Sequence, residues 1–238
     1  MQENIHNYED LLEMLDSFLR EPAHFWDEFF SDRDKSVPIF VNAPDENLVS
    51  YVETGRISAG KVLELGCGPG RNSIYLAEQG FDVDAVDLSK TSLDWAKERA
   101  DDRNLTINFS HQNIFDFTSE QGKYDFIYDS GCFHHIAPHR RMSYIDIIDK
   151  SLKNEGYFGI TCFLQGGKLG GSDISDWEVY RTGSLMGGLG YTKERLKNVF
   201  RSLKPVEIRK MIDKVDSENL FGASDLLTGL FQKRESKE

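Results

Sequence analysis

Apolar residues in this chain fall into short continuous runs set between longer amphipathic stretches. Leu11, Leu12, Leu15, Phe18 and Leu19 recur at helical spacing, which predicts a helix near the start. Pro22 breaks that helix or starts the next, and Phe25, Trp26, Phe29 and Phe30 give a dense aromatic face. Residues 36–47 read as a loop, after which Asp45 is placed to cap a helix from Glu46 to Glu53. The pattern then alternates. Strands are predicted at 61–65, 82–87, 105–109, 124–129, 156–163 and 205–212, and helices at 71–79, 89–100, 139–152 and 192–202. Such βα alternation implies a mostly parallel sheet with helices on both faces. Residues 219–232, with Leu226, Leu227, Leu230 and Phe231, supply a last, seventh strand. The division expected is an N-terminal helical extension over 1–50 and a sheet domain over 51–238. Residues 164–190 hold eight of the chain's 20 glycines. A loop this long is functional or mobile; placed after a strand end, it could fold over the active face as a lid or be a surface insertion.

The run Val62-Leu63-Glu64-Leu65-Gly66-Cys67-Gly68-Pro69-Gly70-Arg71-Asn72 carries the strongest chemical signal. An apolar strand enters a glycine turn that opens a helix, and glycines let backbone approach a ligand closely. Seven residues past Gly80, Asp87 ends the second strand, placed to hold a ribose diol. Together these features point to a nucleoside-cofactor site. The sixth position of G-x-G-x-x-G is Arg71, so the dinucleotide fingerprint lacks its last glycine, and the Lys-Ser/Thr of a phosphate-binding loop is absent.

Charge and cysteine content narrow the partners. With 40 acidic against 28 basic residues the net charge is -12, which argues against a broad nucleic-acid surface. No apolar stretch is long enough to span a bilayer, and no secretory signal is evident. Three cysteines without a C-x-x-C suit a reduced, cytoplasmic protein. No standard zinc spacing appears, so no metal is expected, although Cys132 with His134 and His135 could form a soft-metal site. The sequence leaves the oligomeric state open.

The glycine run resembles motif I of the class I S-adenosylmethionine (SAM) methyltransferases, an acid followed by alternating glycines. Glu64 fills the acidic place and Asp87 the acidic end of the second strand. The resemblance covers about residues 45–165. It implies a Rossmann-like, seven-stranded, mostly parallel sheet, the class I methyltransferase fold, with the last strand antiparallel, and SAM as cofactor. Ligands in open α/β sheets lie at the C-terminal strand ends. That rule selects Gly66, Cys67, Gly68, Gly70, Arg71 and Asn72, then Asp87 and Leu88, then Asn113 and Ile114, then Asp129. Asp87 would accept from both ribose hydroxyls. Glu64 would orient the loop amides, reach the methionine amino group through water, or serve structure only. Asn113 stands where the family usually has an acid facing the adenine amino group, and Leu88 and Ile114 would sandwich the ring.

The same resemblance places residues 130–138, Ser-Gly-Cys-Phe-His-His-Ile-Ala-Pro, on the acceptor side. With the aromatic extension they resemble the thiopurine, thiol and tellurite-resistance branch, although His134-His135 replaces the apolar pair usual there. That resemblance implies a small-molecule acceptor, a thiol or other soft atom; oxygen and nitrogen acceptors remain alternatives, as do an NAD-dependent reductase and a SAM-binding protein without catalysis. His134 or His135 would contact the acceptor or take its proton; the competing reading is a packed or capping histidine. Arg140 and Arg141 could clamp an anionic substrate or face solvent. Tyr8, Phe25, Trp26, Phe29, Phe30 and Phe133 could stand near the sulfonium through cation–π attraction, or simply pack.

Overall fold

The computed structural model describes residues 4–214 and 219–235. Two helices open it. In α1 (Tyr8–Asp16), Asn7 and Asp10 form a reciprocal capping box. In α2 (Pro22–Ser31), Pro22 takes the first turn, where its missing N–H costs nothing, while the Glu21 carboxylate accepts from the Ala23 and His24 amides. Pro22 therefore starts a helix. Asp45 precedes α3 (Glu46–Glu53) without capping it through its side chain, because its carboxylate turns inward to the network described below.

The sheet domain follows as β1 (Lys61–Leu65), α4 (Arg71–Glu78), β2 (Asp82–Asp87), α5 (Lys90–Asp101), β3 (Asn108–His111), β4 (Tyr124–Ser130), α6 (Arg141–Ser151), β5 (Leu152–Phe163), α7 (Asp176–Thr182), α8 (Lys193–Val199), β6 (Lys204–Lys210) and β7 (Leu226–Gln232). Seven strands form one sheet in the order β3-β2-β1-β4-β5-β7-β6. Only β7 runs antiparallel, between β5 and β6. This is the Rossmann-like, mostly parallel arrangement expected. Side chains alternate across it as the pleat requires: Leu63, Ile127, Phe158 and Phe231 enter one core, while Val62, Phe126, Tyr128 and Leu230 enter the other.

Two local expectations are corrected. The third strand starts at Asn108 instead of residue 105. Asn104 takes a left-handed turn (φ 54°) and the Leu105 amide bonds back to Ala100 O at 3.0 Å, so pairing begins only where Asn108 meets Asp84. Residues 164–190 are also less open than their glycine content suggests. They contain α7, capped by Ser175, and short bridges pair Leu164 with Tyr191 and Ser172 with Leu189.

Candidate active site

Each glycine of the β1–α4 turn answers a different constraint. All three have positive φ: 67° at Gly66, 52° at Gly68 and 78° at Gly70. A Cβ on Gly66 would stand 2.4 Å from Cys132 Cβ, and one on Gly70 would stand 2.9 Å from Ala96 Cβ. Gly66 thus lets the turn touch the β4 loop, and Gly70 lets it touch α5. The side of Gly68 has room, with Phe30 Cζ of α2 as its neighbour at 3.6 Å.

Asp87 closes the turn. Its Oδ2 accepts from Gly68 N at 2.7 Å and its Oδ1 from Ser89 N at 2.8 Å. Burial raises its pKa, while those amides pull the other way. A carboxylate offers about four lone-pair positions. One amide on each oxygen leaves both oxygens able to accept a further hydroxyl, so the residue fits a vicinal diol. Leu88 is half-buried next to it, with its carbonyl bonded to the His111 ring at 3.0 Å. Beyond β3, Gln112 N returns to Asp87 O at 3.1 Å. Asn113 Oδ1 takes the Phe115 amide at 3.1 Å, and Ile114 is buried. Asp87, Leu88, Asn113 and Ile114 are therefore gathered at one end of the sheet.

Other expected contacts serve different neighbours. The Arg71 guanidinium pairs with Asp45 at 2.6 Å, donates to Ala43 O and Ser130 Oγ, and lies 4.5 Å over the Phe221 ring. Asn72 accepts the Asp45 amide at 3.0 Å. Tyr128 OH donates to Asp45 Oδ2 at 2.6 Å. Arg71 and Asn72 thus anchor the segment before α3, and Arg71 also reaches the end of β4. Glu64 is buried and accepts from the Ser73 hydroxyl. Burial pushes its carboxyl up to about 7, against the pull of Ser73 and Arg71. Its observed contact ties β1 to α4, the structural one of its three expected roles. Cys67 is buried, and burial raises its thiol.

Asp129 is held by its own loop. It is fully buried; its Oδ1 accepts from the Cys132 and Phe133 amides, and its Oδ2 takes Tyr144 OH at 2.6 Å. Burial pushes it up to about 7. It shapes the loop after β4.

The two histidines separate by the same accounting. His134 Nδ1 accepts from Phe163 N at 3.2 Å, and its ring stacks on Phe163 with centroids 3.7 Å apart. An accepting Nδ1 places the proton of the neutral ring on Nε2. Burial keeps His134 well below the ordinary histidine range, and its bond and stack tie the β4 loop to β5. His135 carries no side-chain hydrogen bond among the described residues. It lies 4.8 Å from Trp26, edge to face, and burial with the nearby Arg20 charge lowers it to about 4. It is neutral at pH 7 with its ring nitrogens uncommitted.

The basic trio at 139–141 faces protein. Arg140 binds Glu9 and Asp16 of the extension, His139 binds Asp16 and Tyr180, and Arg141 pairs with Asp176. These contacts close α1 and α7 onto the domain, while Nε and Nη2 of Arg141 are buried without a hydrogen-bond partner among the described residues. No group of three or more His, Cys, Asp or Glu side chains among the described residues is arranged to hold a metal. A contact without a sequence signal comes from α2: Asp27 Oδ1 accepts from Ser89 Oγ at 2.7 Å and Thr91 N at 3.0 Å. It clips α2 over the strand end that bears Asp87.

Against known families, residues 62–156 match the model described as "Methyltransferase domain". These residues are a class I methyltransferase domain. SAM is the cofactor of such domains. Among curated relatives, a 2-heptyl-1-hydroxyquinolin-4(1H)-one methyltransferase of Mycobacteroides abscessus is 32% identical over 45% of this chain and 47% of its own length. The probable S-adenosyl-L-methionine-dependent methyltransferase TehB of Haemophilus influenzae is 36% identical over 42% of this chain and 35% of its own. The chain thus spans less than half the length of these two methyltransferases. Among solved structures, one from work on the conversion of a disulfide bond into a thioacetal group during echinomycin biosynthesis superposes with a TM-score of 0.72 over 92% of this chain and 94% of its own, at 21% identity. That likeness is one of fold. No helix among the described residues is long and apolar enough to cross a membrane.

Proposed function

We propose that this chain transfers the methyl group of SAM to a small-molecule acceptor that enters beside His135. The carrying observation is Asp87, which holds the glycine turn through Gly68 N while keeping acceptor capacity on both carboxylate oxygens. Asp87 would hold the ribose diol, the Gly66–Gly70 turn would lie along the cofactor, and Leu88, Asn113 and Ile114 would bound its base. Bound SAM supplies a methyl on a sulfonium, so the protein contributes alignment and electrostatics. Phe30 of α2 lies over the turn at Gly68, and Trp26 lies between Phe30 and His135, a cover that would exclude water. Asp27 fastens that helix through Ser89 and Thr91, Glu9 and Asp16 fasten α1 through Arg140, and residues 164–190 complete the cover as a lid. His135, neutral at pH 7, is able to take a proton from the acceptor. A thiol is the acceptor we favour, with a hydroxyl or amine next.

The test is calorimetric titration with SAM, S-adenosylhomocysteine and NADH, in the wild type and in Asp87→Asn. SAM and S-adenosylhomocysteine binding that weakens at least tenfold in the variant supports the reading; NADH binding without SAM binding overturns it. Acceptor screening then follows, starting with thiols. A chain that binds SAM yet forms no S-adenosylhomocysteine with any acceptor would be a binding protein instead of an enzyme.

A further inference from the structure

Most arginines around the site already have a carboxylate. Arg33 pairs with Glu98, Arg71 with Asp45, Arg140 with Glu9 and Asp16, and Arg141 and Arg195 with Asp176. Arg20 differs. It is exposed, and among the described residues no carboxylate is paired with it. The acids nearest in sequence are engaged elsewhere: both Glu21 oxygens cap α2, and Asp16 is held by His139 and Arg140. In a chain with 40 acidic residues and 28 basic ones, a cation without a partner beside the acceptor entry calls for a reason.

Arg20 is held in place by an aromatic face. Its guanidinium carbon lies 3.3 Å from the Phe25 ring centroid. Stacking of this kind leaves the edge of the guanidinium, with its N–H donors, free for an anion. The chain of contacts then runs inward. Phe25 meets Trp26 at 5.1 Å, Trp26 meets His135 at 4.8 Å, and His135 meets Phe163 at 5.8 Å. The Arg20 charge is close enough to act on His135. A fixed cation therefore stands at the outer end of an aromatic row, and an uncommitted imidazole stands at its inner end.

We propose that Arg20 is a specificity residue that selects acceptors carrying an anionic group on a planar aromatic ring. The anion meets the guanidinium, the ring lies along Phe25 and Trp26, and the atom to be methylated faces His135. This reading rests on the small-molecule methyltransferase assignment above and names the substrate class of that site. A bidentate carboxylate is the anion that the planar guanidinium matches best.

The probe pair is 2-naphthoate and its neutral isostere 2-naphthamide, titrated by calorimetry with and without saturating S-adenosylhomocysteine. In the wild type, naphthoate binds about five- to tenfold more tightly than naphthamide. Arg20→Gln removes that preference while leaving naphthamide affinity unchanged, Arg20→Lys keeps part of it, and Arg20→Glu reverses it. The wild-type preference shrinks in 0.5 M salt, as expected for an exposed pair at about a 3–10 Å screening length. Equal affinities for the two probes in the wild type, or a preference that survives Arg20→Gln, would overturn the proposal. Because the readout is binding, it separates the two readings. An Arg20-dependent preference in a protein that methylates nothing sinks the enzymatic assignment and keeps the anion site. Turnover of neutral and anionic aromatic acceptors with equal kcat/KM does the reverse.

Discussion

Replacing Gly66 with Ala tests how the cofactor turn is joined to the acceptor loop. The residue has φ 67°, and holding a residue with a Cβ in that left-handed region costs about 1–2 kcal/mol. The new methyl would lie 2.4 Å from Cys132 Cβ and 2.8 Å from its Sγ. Overpacking of this kind costs about 1–3 kcal/mol. The clash falls on one residue of the β4 loop, whose own backbone is ordinary (φ -84°, ψ -48°). Cys132→Gly should therefore relieve it. The expected total for Gly66→Ala is about 2–5 kcal/mol, and adding Cys132→Gly recovers the steric share but not the dihedral share. The assay is a double-mutant cycle by urea unfolding, followed through tryptophan fluorescence, with SAM affinity measured in parallel. The coupling energy should be about 1–3 kcal/mol in the sense of rescue. Strict additivity, with both single variants destabilised, would refute the claim that these two loops meet at this one contact.

Three further outcomes are expected. Clipping off the Asp27 carboxylate with Asp27→Ala removes the bonds to Ser89 and Thr91, so amide exchange in α2 accelerates about tenfold, for about 1–1.5 kcal/mol lost, while exchange in β1 and β4 is unchanged. His135 is lowered to about 4, so the unfolded chain takes up its proton first as pH falls below about 6.5. Its contribution to stability is complete above that pH and is lost on acidification toward 4. His135→Phe should thus reduce the acid sensitivity between pH 7.5 and pH 5 by at most about 2 kcal/mol, measured from urea midpoints. Asp129 shows the opposite sign: with a folded value of about 7 and an unfolded value of about 4, the native state holds the extra proton, so stability falls as pH rises from 4 to 7. Asp129→Asn removes its share of that slope, up to about 4 kcal/mol, and leaves the share of Glu64, which burial also raises to about 7; a variant with the full wild-type pH dependence in this window would count against the buried Asp129 carboxyl as a source.

The parts of this structure that could be read from the sequence were those fixed within a few residues. The run Val62 to Leu65 is apolar enough for a central strand, and the glycines after it define a turn by their own conformational freedom. Asp87 follows from strand spacing, and the antiparallel seventh strand from resemblance. Whatever depends on partners far along the chain stayed hidden. Asp27 finds Ser89 across 62 positions, and Arg71 finds Asp45 through a fold that neither residue announces. His134 and His135 are identical neighbours in sequence, yet one spends its nitrogen on Phe163 and the other keeps both. The start of β3 was misplaced because Leu105 looks apolar in either setting, and only the left-handed Asn104 decides which it takes.

The position of β7 bears on how the chain is made. Its partner β5 ends at Phe163, but β7 begins only at Leu226. A ribosome adding about 5–20 residues per second leaves the outer edge of β5 without its mate for several seconds. During that interval Phe158, Ile160 and Cys162 lie along an open strand edge, the form most prone to intermolecular pairing. Slowing translation between codons 164 and 226 should therefore raise aggregation more than slowing it anywhere before β5.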